Sequence, residues 1–156
     1  MLCQRLHGVI PDFESTGLLP AGIHWASWEE IVKRYGNNSH RKRLLEGLER
    51  ATAAFAAAGC RMLYLDGSFV TEKLFPNDYD ACWDAVGVTL SLLDPVLVDF
   101  SNLRAAQKAK YFGEFFPAHW PAERSAPYRM FLEFFQTDKS TGKAKGIIGL
   151  RLKGKP

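Results

Sequence analysis

No run in this 156-residue chain approaches the roughly 18 consecutive apolar residues that a membrane-spanning helix needs. Cysteine is scarce. Cys3, Cys60 and Cys82 are odd in number and form no C-x-x-C pair, which argues against a disulfide framework or a cysteine zinc site and for a reducing compartment. His7, His24, His40 and His119 share no metal-ligand spacing. An excess of one charge is missing too: the net charge of +3 is too small to argue for nucleic acid by itself. An RNA-binding reading would have to rest on Arg41-Lys42-Arg43 or on the terminal "RLKGKP", and it is the weakest of the functional readings. The opening "MLCQRLHGVIPDFE" lacks a basic leader followed by a long apolar stretch, so the expectation is a soluble, cytoplasmic protein. No repeat or low-complexity tract interrupts the chain. What remains is ordinary globular composition, 47% hydrophobic and 24% charged, at a length that suits one domain with a real core.

Residues 1–23, with Pro11, Pro20 and three glycines, read as an irregular arm, with a short strand near Val9-Ile10. Residues 24–156 read as a single domain. In "SWEEIVKRYG", Ser27 precedes Glu30 by three residues, the spacing of a capping box, and Gly36 stops a short helix. A longer helix follows, expected to run from an N-cap at Ser39 to a C-cap at Gly59. Leu44, Leu45, Leu48, Thr52 and Phe55 share one face of it. Arg41-Lys42-Arg43 then falls on a solvated first turn. "RMLYLDG" and "NDYDACWD" read as strands, and "LRAAQKAKYFGEFF" as a helix ending near Gly113. "FPAHWPAERSAPY" is loop. "RMFLEFFQ" and "GIIGLRL" read as antiparallel strands joined by the polar turn "TDKSTGKAKG". The expected class is α/β or α+β, a small mixed sheet flanked by helices.

Chemistry concentrates in "YLDGSFVTEKLFPNDYDACW", residues 64–83. Gly67 lets backbone approach a ligand closely, and with Ser68 at the end of a strand it makes a receptor for phosphate oxygens. Asp78 and Asp80, two residues apart, project from one face of a strand. Carboxylates so close repel one another unless a cation lies between them, and Mg²⁺ (or Mn²⁺) takes a few carboxylate oxygens together with water and phosphate. A third acid would complete such a site or accept a proton from an attacking hydroxyl. Glu133, in the middle of an apolar run, is the preferred candidate, with Asp99 in "PVLVDFS" its rival. Lys73, between the two halves of the motif, either screens phosphate charge or is a surface lysine. Arg104, Gln107, Lys108 and Lys110 form a basic helix that faces either phosphates or solvent. Cys60 and Cys82 read as inert strand cysteines, and Trp25 and Trp28 as packing anchors.

Gly67-Ser68, nine residues, then Asp78-x-Asp80 resembles the signature of the nucleotidyltransferase superfamily that includes DNA polymerase beta, kanamycin nucleotidyltransferase and the minimal nucleotidyltransferases of bacteria. "DGSFVTEK", "PNDYD", "FLEFFQ" and "KGI" look like a family of small bacterial nucleotidyltransferase-like proteins, a likeness running from about Leu18 to Leu152. The resemblance implies a nucleotidyltransferase-like fold and metal-dependent transfer of a nucleoside monophosphate from ATP or another nucleoside triphosphate to a hydroxyl of a protein, RNA or small molecule. It implies contacts from Gly67 and Ser68 to the triphosphate, metal held by Asp78, Asp80 and Glu133, and help from Glu133 in deprotonating the acceptor. Small proteins of this kind resemble the antitoxin half of a toxin–antitoxin pair. A cognate toxin is therefore an expected partner, self-association is another, and an inactive module acting by contact is the alternative function.

Overall fold

The structure, a computed structural model, describes residues 10–153. His7, Val9 and Gly154–Pro156 lie outside the described residues, and with them most of the strand expected at Val9-Ile10; Ile10 itself is buried in irregular chain. Among the described residues five strands form one mixed sheet: β1 (Gly22–Trp25), β2 (Met62–Asp66), β3 (Tyr79–Trp83), β4 (Gly113–Pro117) and β5 (Gly146–Arg151), in the order β1-β5-β2-β3-β4. β1 runs parallel to β5 and β3 parallel to β4, while β2 is antiparallel to both of its neighbours. Among the described residues four α-helices accompany it: α1 (Trp28–Tyr35), α2 (Ser39–Ala57), α3 (Ser101–Tyr111) and α4 (Phe131–Phe134). The expected α+β class is what the chain adopts.

Alternation along the strands sorts the two faces of the sheet. Leu63, Leu65, Tyr79, Ala81, Trp83, Phe115, Ile148 and Leu150 point one way and pack with Leu44, Leu48, Ala51 and Phe55 of α2 and Ile31 and Tyr35 of α1. The opposite face carries a smaller cluster, Tyr64, Cys82, Phe116 and Ile147, covered by Phe131 of α4 and by Phe135 just after it. That second face remains open at one end, and there the polar residues collect.

The helix starts follow local chemistry. Ser27 Oγ accepts from the Glu30 amide at 3.1 Å and Glu30 Oε2 accepts from the Ser27 amide at 2.8 Å, so the capping box forms. On α2 the cap lies one residue earlier than expected: Asn38 Oδ1 accepts from the Arg41 amide at 2.8 Å. Ala58 is the C-cap, and Gly59, at φ 96°, turns the chain just beyond it.

Arg41 departs furthest from its expected solvated turn, at only 2% exposure. Its guanidinium donates to the carbonyls of Phe69 (2.7 Å), Thr71 (3.0 Å) and Lys73. It lies 5.0 Å from the Phe69 ring centroid. A planar fork of five donors fits a set of converging carbonyls as no other side chain can. Arg41 thereby ties the segment after Gly67-Ser68 to α2. Arg41→Met leaves those carbonyls without their donor, and an expected loss of about 2 kcal/mol is measurable by denaturant unfolding.

"RMFLEFFQ" forms no strand. Phe131 and Phe135, four residues apart, both reach Phe116, with ring centroids at 4.5 and 5.5 Å. On a strand an i, i+4 pair shares a face but stands about 13 Å apart, whereas a helical turn brings the two side chains together, so α4 forms in place of the expected hairpin arm. β4 is the converse case: "GEFFP", read as the tail of a helix and the start of a loop, is the strand beside β3. Phe112, in a left-handed conformation at φ 67°, ends α3 between the two.

Candidate functional site

Three carboxylates stand in one row across three neighbouring strands. Asp66 is the register partner of Asp80, and Asp80 of Glu114. Partners in register point to the same face, so all three emerge on the open face. One step along each strand lies the next row, Tyr64, Cys82 and Phe116. Asp78 immediately precedes β3 and shares the parity of Asp80. The row therefore arises from an acid and an apolar residue two positions apart on the same face, the acid first in β3 and β4 and last in the antiparallel β2.

Gly67 turns the chain directly beside the row. Its φ of 78° is left-handed, and a Cβ there would sit 2.5 Å from Asp80 Oδ2. Both the conformation and the space require glycine. Ser68 opens a 3₁₀ turn over Ser68–Val70, and Thr71 Oγ1 donates to its carbonyl at 2.7 Å. Asp66, Gly67, Ser68, Thr71, Asp80, Phe134 and Lys145 are among the walls of a cleft of about 290 Å³. A larger groove of about 820 Å³ lies between α1, α2 and the end of β5, but no buried charged residue lines it.

The charges within the row are unequal. Burial pushes Asp80 up to about 8, reinforced by its hydrogen bond to Glu114 and the charges of Asp78, Glu114 and Asp66. Burial raises Asp66 to about 6, with Lys145 opposing. Asp78 is raised by burial and by Glu114, against Lys108 and Lys73. Glu114 goes the other way: burial would raise it, but hydrogen bonds from Lys108, Asp80 and Arg104 prevail and hold it below its ordinary value. Arg104 Nε and Lys108 Nζ each lie 3.0 Å from Glu114 Oε1. Asp80 is thus the protonated member of the row and Glu114 the ionised one.

Of the residues expected from sequence, Gly67, Ser68, Asp78 and Asp80 come together. Glu133 does not join them; it is exposed on α4 and its strand does not exist. Asp99 accepts from the amide and hydroxyl of Ser101 at the start of α3. Lys73 is exposed, near enough to Asp78 for its charge to be felt. The basic helix divides: Arg104 and Lys108 face Glu114, Lys110 pairs with Asp94 on the surface, and buried Gln107 binds the Phe115 amide and the Leu97 carbonyl. Sequence reasoning missed Asp66, Glu114 and Lys145. Glu114 carried the same signal that singled out Glu133, an acid inside an apolar run.

Residues 11–151 match the model of a family described as DUF6932, a family of unknown function. The chain belongs to that family. The DUF6932 match takes in every strand and each acid of the row. Comparison with curated proteins and with solved structures returned no match.

Proposed function

We propose that this DUF6932 chain is a metal-dependent nucleotidyltransferase that moves a nucleoside monophosphate from a nucleoside triphosphate to a hydroxyl. The observation that supports the reading is the row Asp66–Asp80–Glu114, with Asp78 beside it, against the left-handed turn at Gly67. Among the described residues no three acidic, histidine or cysteine side chains form a ready-made metal cage. Magnesium does not need one, because it is commonly held by one or two carboxylates and completes its shell with water and phosphate. The donor set fits: Asp78, Asp80 and Glu114 offer only carboxylate oxygens, and Asp80, raised first by burial and then by its hydrogen bond to Glu114 and the charges of Asp78, Glu114 and Asp66, is a group whose ionised form a cation would favour. A magnesium ion on these residues would supply charge neutralisation for the phosphates.

The chain's own groups account for the rest. The backbone at Gly67-Ser68 admits the phosphate chain closely, and Ser68 adds a hydroxyl donor. Glu114, held ionised by Arg104 and Lys108, accepts the proton of the acceptor hydroxyl. The hydroxyl oxygen bonds to the α-phosphorus, the α–β bridging P–O bond breaks, and pyrophosphate leaves with that electron pair. Positioning and electrostatics supply most of the acceleration.

Incubation of the protein with Mg²⁺ and each labelled nucleoside triphosphate, with and without the product of the neighbouring gene, tests the reading. Label on an acceptor supports it, and absence of both transfer and Mg–nucleotide binding overturns it. One observation favours the contact-acting, antitoxin-like alternative. Leu74 and Phe75, 63% and 62% exposed, sit between the two halves of the motif, where a partner protein would meet them. Tight partner binding that survives Asp78→Ala and Asp80→Ala, with no transfer, supports that alternative.

A further inference from the structure

Asp66 and Lys145 form a pair that the reaction above does not use. Asp66 is 2% exposed, and among the described residues neither of its carboxyl oxygens has a well-aligned hydrogen-bond partner. Lys145 Nζ lies 3.4 Å from Oδ1, close enough for an ion pair but without hydrogen-bond alignment. Leaving a buried carboxylate without hydrogen bonds is expensive, and a sequence that only needed stability could place an apolar residue at the end of β2. The lysine is the accessible member: 16% of its side chain is exposed and it lines the cleft, whereas the carboxyl oxygens are sealed beneath it.

We propose that Lys145 is a phosphate-contacting residue of the cleft and that Asp66 is its positioning residue, holding the ammonium over β2. An ammonium offers donors only, so its ligand atom is an acceptor. Bare anions gain little in the cleft, because with Asp80 protonated Asp66 and Asp138 balance Lys139 and Lys145 along its walls. A phosphate already bound to a cation does suit it. Nζ lies beside Asp66 at the end of β2, one strand over from Asp80 on β3, and a phosphate group on a cation held by Asp80 would reach it. Lys145 enters the chain just before β5, on the far side of β2 from Asp80. A cation-bound polyphosphate is thus gripped from both sides of Gly67.

This inference rests on the nucleotidyltransferase reading and assigns that site's phosphate contact. The experiment is calorimetric titration of a nonhydrolysable ATP analogue with Mg²⁺ into wild type, Lys145→Met, Lys145→Arg, Asp66→Asn and the double variant Asp66→Asn/Lys145→Met. The expected results are at least 10-fold weaker binding for Lys145→Met, less than 3-fold for Lys145→Arg, and a double variant no weaker than Lys145→Met alone. Rescue by arginine and the absence of an added loss separate positioning from general damage, and circular dichroism on each variant confirms folding. Wild-type affinity in Lys145→Met overturns this inference while leaving the reaction intact. No binding by the wild-type protein overturns both. Should Asp66→Asn fail to fold, Lys145→Met against Lys145→Arg decides alone.

Discussion

Replacing Glu114 with glutamine is expected to lower the proposed nucleotidyl transfer by about 10²- to 10⁴-fold, the range for loss of a general base, while Glu133→Gln is expected to stay within about 2-fold because it alters only a solvated charge. Glu114 lies in register with Asp80 and is held ionised by Arg104 and Lys108. Glu133 stands exposed on a helical turn. Glutamine keeps the size of the side chain and removes only the charge and the proton-accepting ability. Single-turnover transfer with labelled nucleoside triphosphate, under saturating Mg²⁺, reads the difference directly. Asp80→Asn falls at least as far, since Asp80 lies in the middle of the row and against Gly67. The reverse ranking, with Glu133→Gln inactive and Glu114→Gln active, sinks the proposed site.

The two glutamates show where sequence reading succeeds and where it stops. Residues 64–83 carried their own geometry: a strand, a glycine that must turn, and two acids at strand spacing are all local, and each is where it was expected. The capping box at Ser27 was legible for the same reason. The third acid depended on which distant strand would lie beside β3, and that is a tertiary fact. "FGEFFP" and "RMFLEFFQ" both set a glutamate among phenylalanines. Short aromatic runs fit either period, and packing decides between them: Phe131 and Phe135 meet on Phe116 only as a helical turn. Arg41 illustrates the same limit. Nothing in "HRKR" says which cation will meet the carbonyls of residues 69–73. Asp66 was readable as an acid directly before Gly-Ser, but its pairing with Lys145, 79 positions on, was not.

In metal-free buffer, Asp80→Asn is expected to stabilise the protein at high pH by about 2–3 kcal/mol, and to change little near pH 4. The folded value of Asp80, about 8, lies above its ordinary 3.8. Between those values the folded chain keeps a proton that the unfolded chain has released. The contribution of the neutral carboxyl is complete below about pH 4, shrinks as pH rises, and is gone above about pH 8. Asparagine, always neutral and still able to donate toward Glu114, escapes that loss. The full span of the shift sets an upper bound of about 6 kcal/mol, and we take less than half of it because a crowded carboxylate relaxes and admits water. At roughly 2–4 °C per kcal/mol for a chain of this size, the difference in melting temperature at pH 9 is about 5–10 °C. Glu114→Gln carries the opposite sign: Glu114 is held below its ordinary 4.5, so its charged form contributes stability above that value, and the variant loses it at neutral pH. Magnesium supplies the discriminating arm. At pH 9 it raises the melting temperature of the wild type, whose ionised row gains a counter-charge, and leaves Asp80→Asn nearly unmoved. Melting curves of the two proteins that run parallel from pH 4 to pH 9, with or without magnesium, would mean that Asp80 neither holds a proton in the fold nor exchanges it for a cation.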